Sequence, residues 1–202
     1  DDADDLALVK LGALKKEFVV EADANTFDID IYANSAFHIE RINQADWISL
    51  TCGETEDGKG AITAECEFNE GFKRKAGFVL CSDVDARRDT VYVKQKALVD
   101  AKIEFANSSV IVAGAGGENI SPIETNIPFS EITVDIEYAK ADNADWIESL
   151  EIVDSESENR SLAITTEANA ADEIPRSAAV SLSFTDGWDE TVSVEFNLLQ
   201  RT

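Results

Sequence analysis

One tetrapeptide occurs twice, and its spacing limits what the chain can become. Ala45-Asp46-Trp47-Ile48 returns as Ala144-Asp145-Trp146-Ile147, 99 residues later in a chain of 202. Each copy is followed by the same events in the same order. An alternating apolar stretch ends near an asparagine (Asn69, Asn169), a basic residue opens a second stretch (Arg74, Arg176), and a strand-like run closes on a glutamine (Gln95, Gln200). A period near a hundred residues is too long for a solenoid repeat and matches one small β domain. The chain is therefore expected to use one domain type twice: an acidic N-terminal tail over 1–10, a first domain over 11–97 and a second over 98–202.

Period-two alternation dominates both copies, which argues for half-buried strands. Phe27-Asp28-Ile29-Asp30-Ile31 alternates cleanly, as do residues 132–138 and 192–198, while Ala178, Val180, Leu182 and Phe184 share one face. Polar clusters at Thr55–Gly60, Ser82–Asp89, Gly114–Asn119, Asp154–Ser161 and Thr185–Asp189 read as turns. Short strands with one apolar face and frequent turns predict two antiparallel β-sandwiches of immunoglobulin-like type. Helix is nearly absent, with one turn allowed around Leu6–Leu14. Asn34-Ser35-Ala36-Phe37 aligns with Asn126-Ile127-Pro128-Phe129. From this Asn to the Trp is 13 residues in the first copy and 20 in the second, so seven extra residues are expected to lengthen the run before Trp146. The junction at Ala97–Asp100 lacks Gly and Pro, and the domains are expected to sit end to end with limited freedom.

Charge narrows the partners. Net charge is −24; residues 1–97 hold 12 basic and 20 acidic side chains, residues 98–202 only 5 and 21. Such a surface repels phosphate backbones and anionic headgroups, so no nucleic acid and no direct lipid-surface binding are expected. Solubility as a monomer is the plain consequence, and an acidic face for a cationic partner or Ca²⁺ is the sharper alternative. No apolar run is long enough for a transmembrane helix, and with no Met anywhere a processed start is expected. Cys52, Cys66 and Cys81 all lie in the first copy, so they form no required disulfide framework. Cys66 shares its strand face with Ile62, Ala64 and Phe68 and reads as a buried small apolar residue. Cys81 faces away from Phe78 and Leu80, and a Cys52–Cys81 bridge is left open. No CxxC or Cys/His spacing supports zinc.

Taken together, the Trp after a short polar run (Trp47, Trp146) and the Asn…Arg-x-Ala step (Asn69…Arg74-Lys75-Ala76, Asn169…Arg176-Ser177-Ala178) point to a family. With the closing Val91-Tyr92-Val93-Lys94-Gln95, they resemble the BACON domain, an immunoglobulin-like β-sandwich of Bacteroidetes. The second copy departs from the closing pattern: Val192-Ser193-Val194-Glu195-Phe196 is followed by four residues ending at Gln200. The resemblance covers roughly 11–202. It implies a secreted or surface location, carbohydrate or mucin binding, or a spacer role beside a glycan-active module. It also implies a lipoprotein, anchored through a Cys just upstream of the mature chain rather than by a membrane span. Asp1-Asp2-Ala3-Asp4-Asp5 resembles the acidic export tag of such lipoproteins, and also suits a solvated terminus.

Few residues invite chemistry. Trp47 and Trp146, at equivalent positions, read as structural aromatic anchors at a sandwich edge, with an indole N–H able to find a partner. Trp188 lies in Thr185-Asp186-Gly187-Trp188-Asp189-Glu190, a predicted hairpin tip. Its ring suits stacking on a sugar while Asp186 and Asp189 accept hydroxyl hydrogen bonds; packing at the end of the domain is the other reading. Trp188, Asp186 and Asp189 are thus the ligand-binding candidates. His38, the single histidine, reads as an exposed strand residue, and no nucleophile motif accompanies it. Acid pairs such as Asp28/Asp30 mark the solvent face of strands. The Asp154–Asn159 loop offers oxygens for Ca²⁺ but lacks the punctuated twelve-residue pattern, and Gly114–Gly117 is a turn. No catalytic residue, metal site or cofactor is assigned. The expected role is a non-catalytic surface binding or spacer protein; the alternatives are a stalk without a glycan ligand and an accessory part of a glycoside hydrolase.

Overall fold

The computed structural model describes residues 8–140, 143–154, 160–170 and 174–202. It divides into two compact units, Asp1–Asp100 and Ala101–Thr202. The first contains β1 (Leu11–Ala13), β2 (Glu17–Val20), β3 (Asn25–Ala33), β4 (Phe37–Arg41), β5 (Ile48–Cys52), β6 (Lys59–Cys66), β7 (Arg74–Ser82) and β8 (Arg88–Gln95). Two four-stranded sheets result, ordered β1-β3-β6-β5 and β2-β8-β7-β4. The N-terminal segment joins both. β1 runs antiparallel to β3, and after Leu14 the chain crosses so that β2 runs parallel to β8, with Phe18 opposite Val93. That crossing, with the remaining pairs antiparallel, is an immunoglobulin-like topology.

The second unit repeats it. β9 (Ile103–Glu104), β10 (Ser109–Val112), β11 (Gly117–Thr125), β12 (Thr133–Tyr138), β13 (Ile147–Asp154), β14 (Arg160–Thr166), β15 (Arg176–Thr185) and β16 (Thr191–Gln200) follow in order. They form sheets β13-β14-β11-β9 and β10-β16-β15-β12, and β10 again runs parallel to β16. The fold is all-β; a 3₁₀ turn lies at Phe129–Glu131. The segment that allowed a helical turn near Leu6–Leu14 instead supplies β1, whose Leu11 and Ala13 are buried.

Alternation becomes burial. In β3, Ile29 and Ile31 are buried while Asp28 and Asp30 face solvent. They meet Ile62 and Ala64 of the same sheet and Phe78, Leu80, Val91 and Val93 of the other in one apolar cluster. Burying each large aliphatic or aromatic side chain stabilises the fold by roughly 1.5–3 kcal/mol. The second core holds Leu162, Ile164, Val180, Leu182, Phe196 and Leu198. Turn chemistry sets the registers. Asp57 and Gly58 take φ values of 51° and 75° between the mutual hydrogen bonds of Glu56 and Lys59, a two-residue hairpin turn that twists with its strands.

Three expectations change in detail. The seven extra residues do not simply lengthen one run. Arg41 lies opposite Phe78 and Ile136 opposite Val180, at equivalent places on β7 and β15. Asn34 to Arg41 is 7 residues against 10 from Asn126 to Ile136, and Arg41 to Trp47 is 6 against 10 from Ile136 to Trp146. Three residues thus precede the strand, where the 3₁₀ turn forms, and four follow the pairing. The closing pattern of the second copy aligns from Gln200 backwards. Val91 faces Phe78 and Phe196 faces Val180, so Phe196-Asn197-Leu198-Leu199-Gln200 matches Val91–Gln95. The apparent departure is a hairpin that extends two pairs further, to Thr185 opposite Thr191. Finally, Cys52, Cys66 and Cys81 are all free thiols. Cys52, exposed, and Cys81, buried, are both unbridged, so the bridge left open between them does not form. Cys66 is buried as expected, but Phe68 lies beyond the end of β6 and is exposed.

Candidate functional site

The residues that recur in sequence recur in space, as one polar cluster in each unit. Arg74 opens β7 directly opposite Gln95, which closes β8; Arg176 and Gln200 pair identically. Arg74 Nε donates to Gln95 Oε1 at 2.8 Å and Arg176 Nε to Gln200 Oε1 at 2.7 Å. Each guanidinium also donates to two consecutive carbonyls, Glu67 and Phe68 in one unit, Glu167 and Ala168 in the other. Its flat face covers the preceding indole, 4.5 Å from Trp47 and 4.9 Å from Trp146. The glutamine amides donate to Glu67 O and Glu167 O, and to Ala22 O and Ala113 O. Asn69 and Asn169 tie the cluster to the last strand through Lys96 O and Arg201 O.

Gln95 and Gln200 are 0% and 1% exposed, so this cluster is internal. Its chemistry is the satisfaction of buried carbonyls where strands end. Ala76 and Ala178, one step inside each arginine, are buried positions in the same strand ends. Trp146 is fully buried, and its Nε1 has no hydrogen-bond partner among the described residues. Trp47 is half-buried and packs on the first core.

What the two units do not share is more informative about function. On the outer face of the β4–β7–β8 sheet, His38 lies opposite Cys81, and Cys81 opposite Arg88. Glu40 stands two residues from His38 on the same strand face. His38 Nδ1 is 2.5 Å from Asp83 Oδ1 and its Nε2 is 3.3 Å from Glu40 Oε1, while Arg88 donates to Glu40 Oε2 at 2.5 Å. The Asp83 hydrogen bond, then that of Glu40, raises the His38 pKa above its ordinary value. Arg88 first and His38 second hold the Glu40 carboxyl below its own. Burial pushes the Cys81 thiol up, partly opposed by the charge of Arg88. The same register places Thr133, Ser183 and Ser193 at the positions of His38, Cys81 and Arg88 in the second unit. The sandwich therefore does not require this group. Sequence reading placed His38 as exposed on a strand, and it is; the cluster escaped notice because its members come from three strands whose register no local spacing reveals. The available signal was the outward alternation of His38/Glu40 and of Cys81/Asp83.

The candidates at the last hairpin are placed differently from one another. Asp186 Oδ1 accepts from the backbone N–H of Trp188 at 2.8 Å and of Glu190 at 3.1 Å, so this carboxylate builds the turn. Asp189 is exposed with φ 63°, and Trp188 is half-buried. The structure brings the three together at one tip. Two clefts of the second unit lie elsewhere. One, of about 850 Å³, is lined by Lys102, Glu104, Phe105, Pro122, Glu124 and Arg160 among others. The other, of about 390 Å³, lies on the outer face of the β12–β15–β16 sheet beside Asp135, Glu137 and Glu195. Asp28 and Asp30 lie on the open face of β3, with Asp28 accepting from Thr63. Asp154 closes β13, while positions 155–159 of the Asp154–Asn159 loop and the acidic start at Asp1–Asp5 fall outside the described residues. No helix among the described residues is long and apolar enough to cross a membrane.

No family model and no curated protein matches the sequence. Among solved structures, an endo-fucoidan hydrolase from glycoside hydrolase family 107 is similar at 12% identity over 95% of this chain and 28% of its own, with a TM-score of 0.30. A Bacteroides ovatus GH5 xyloglucanase, in complex with a heptasaccharide, aligns with 44% of this chain and 19% of its own at 18% identity and a TM-score of 0.36. Titin Ig tandem domains match 96% of this chain and 98% of theirs at 10% identity and a TM-score of 0.37. The chain spans less than a third of the two hydrolases, and TM-scores of this size assign it to none of these groups.

Proposed function

We propose that this chain is a non-catalytic surface module of the BACON type, in which two immunoglobulin-like sandwiches serve as a binding and spacing element, with carbohydrate or mucin as the ligand class. The observation that supports it is the repeated Trp–Arg–Gln–Asn cluster. The Trp, Arg, Gln and Asn of the resemblance help close the end of a sandwich in both units, with the Arg–Gln pair and the Glu67 or Glu167 carbonyl at its centre. Their shared job is folding, which leaves ligand contact to surfaces that differ between the units. Trp188 at its hairpin tip and the cleft beside Phe105 are those surfaces in the second unit; each pairs an aromatic with polar side chains, as sugar sites do.

A hydrolase reading needs two acids facing each other across a sugar. Asp135 and Glu195 lie in one cleft but project from the same sheet face, either side of Ser181, two strand spacings or about 10 Å apart. The deciding experiment is calorimetric titration of the full chain against plant and mucin glycans, with released reducing ends measured in parallel. Saturable heat weakened by Trp188→Ala or Phe105→Ala is the expected result. No heat for any glycan would leave only the spacer role, and cleavage abolished by Glu195→Gln would make the protein an enzyme.

A further inference from the structure

We infer that the first unit carries a site for a divalent cation of the zinc class, with His38 Nε2, Glu40 Oε1 and the Cys81 thiolate as ligands and Asp83 orienting the imidazole. Ligand atoms of these three residues all lie within 4.8 Å of one another. The His38 Nε2–Glu40 Oε1 separation is 3.3 Å. Two ligands at about 2.0–2.1 Å from a tetrahedral zinc stand about 3.3 Å apart, so this pair already has the required spacing. Asp83 holds Nδ1, which directs Nε2 toward the common point; a carboxylate on the far ring nitrogen is the usual partner of a ligating histidine. Arg88 occupies Glu40 Oε2 and leaves Oε1 as a single ligand atom.

Charge and ligand type agree on the ion. Asp83, Glu40 and an ionised Cys81 supply three negative charges and Arg88 one positive, so a divalent ion brings the group to neutrality. Binding exchanges the thiol proton of Cys81 for a sulfur–metal bond and the Nε2 proton of His38 for a nitrogen–metal bond, both protons leaving to solvent. A thiolate, an imidazole and a single carboxylate oxygen suit zinc rather than calcium or magnesium, which take oxygen ligands. Three protein ligands leave the fourth tetrahedral position to water, on a face where the His38 side chain is 52% exposed. The second unit adds an internal control. Thr133, Ser183 and Ser193 stand where His38, Cys81 and Arg88 would be, so the group is an addition to the fold rather than part of its framework.

The test uses the full chain carrying Cys52→Ser, which removes the exposed thiol. Cobalt(II) titration followed by absorption, and zinc(II) titration by calorimetry, should each saturate at one equivalent, with a thiolate-to-cobalt charge-transfer band that zinc bleaches. Cys81→Ser should abolish the band. His38→Thr should weaken binding at least 10-fold, and Asp83→Asn by about 10- to 100-fold. The first two changes install residues that the second unit uses at the same places, so the sandwich should persist, which circular dichroism checks. Absence of the band from the Cys52→Ser protein would overturn the site, as would a band and affinity indifferent to His38→Thr. Zinc-induced protection against thermal unfolding, present in the parent and lost with Cys81→Ser, provides a second readout independent of cobalt.

Discussion

A guanidinium lying flat on an indole, with its edge donating to a glutamine and two carbonyls, uses what arginine has and lysine lacks: a rigid planar fork with five donors. Arg74 and Arg176 each make this arrangement, and the glutamine opposite completes it. Replacing Gln95 by leucine keeps the volume but takes the acceptor from Arg74 Nε, and one of two donors from each of Ala22 O and Glu67 O, in a site that is 0% exposed. The expected cost is about 2–4 kcal/mol, read as a lowered urea midpoint for the first unit; Gln200→Leu should do the same to the second. His38 belongs to a wetter setting. Its folded pKa is raised by Asp83 and then Glu40, so its contribution to stability is complete below the ordinary histidine value and fades as pH rises through the folded one. In chelator-treated protein, NMR titration should place His38 above 6.5, and Asp83→Asn should bring it back down.

Among the elements, the turn between β10 and β11 leaves no room for a side chain at Gly116. Gly116 has φ +75°, and a Cβ there would stand 2.6 Å from Thr166 O and 2.7 Å from Ala168 N, both backbone atoms. Gly116→Ala therefore combines left-handed strain with a clash that no side chain can relieve, and should destabilise the second unit by about 2–4 kcal/mol in denaturant melts. This element also shows what could be read in advance. Gly114-Ala115-Gly116-Gly117 announced a turn, and Arg176 and Gln200 marked strand ends from their order alone. The register between β4 and β7 was not available, because it is fixed by packing between residues some 40 apart rather than by any turn joining them. For the same reason the group at His38 and Cys81 was invisible, since its members meet only once β4, β7 and β8 have paired in one sheet. The extra pairs at the tip of β15–β16 were misread as a departure from the closing pattern, because counting began at the wrong end of the hairpin.

For the whole molecule, the first apolar cluster draws all its members from residues 11–93, and the chain divides into its two compact units between Asp100 and Ala101. Residues 8–100 and 101–202, prepared as separate chains, should therefore each fold and unfold in a single cooperative step, with midpoints close to those of the two transitions of the full protein. Loss of structure in either half alone would show that its core is incomplete.

The parallel pairing of β2 with β8, and of β10 with β16, has a mechanical consequence. Lys16 O receives the Tyr92 N–H and Val20 O the Lys96 N–H, each at 2.9 Å; Ser108 O and Val112 O are bonded likewise by Asn197 and Arg201. In each unit these strands lie close to the entry and exit of the chain. Tension applied through the two ends drags such strands past each other lengthwise, so several bonds must break at once, whereas antiparallel neighbours pulled from one end would peel apart singly. Each unit is thereby braced against a pull along its own strands.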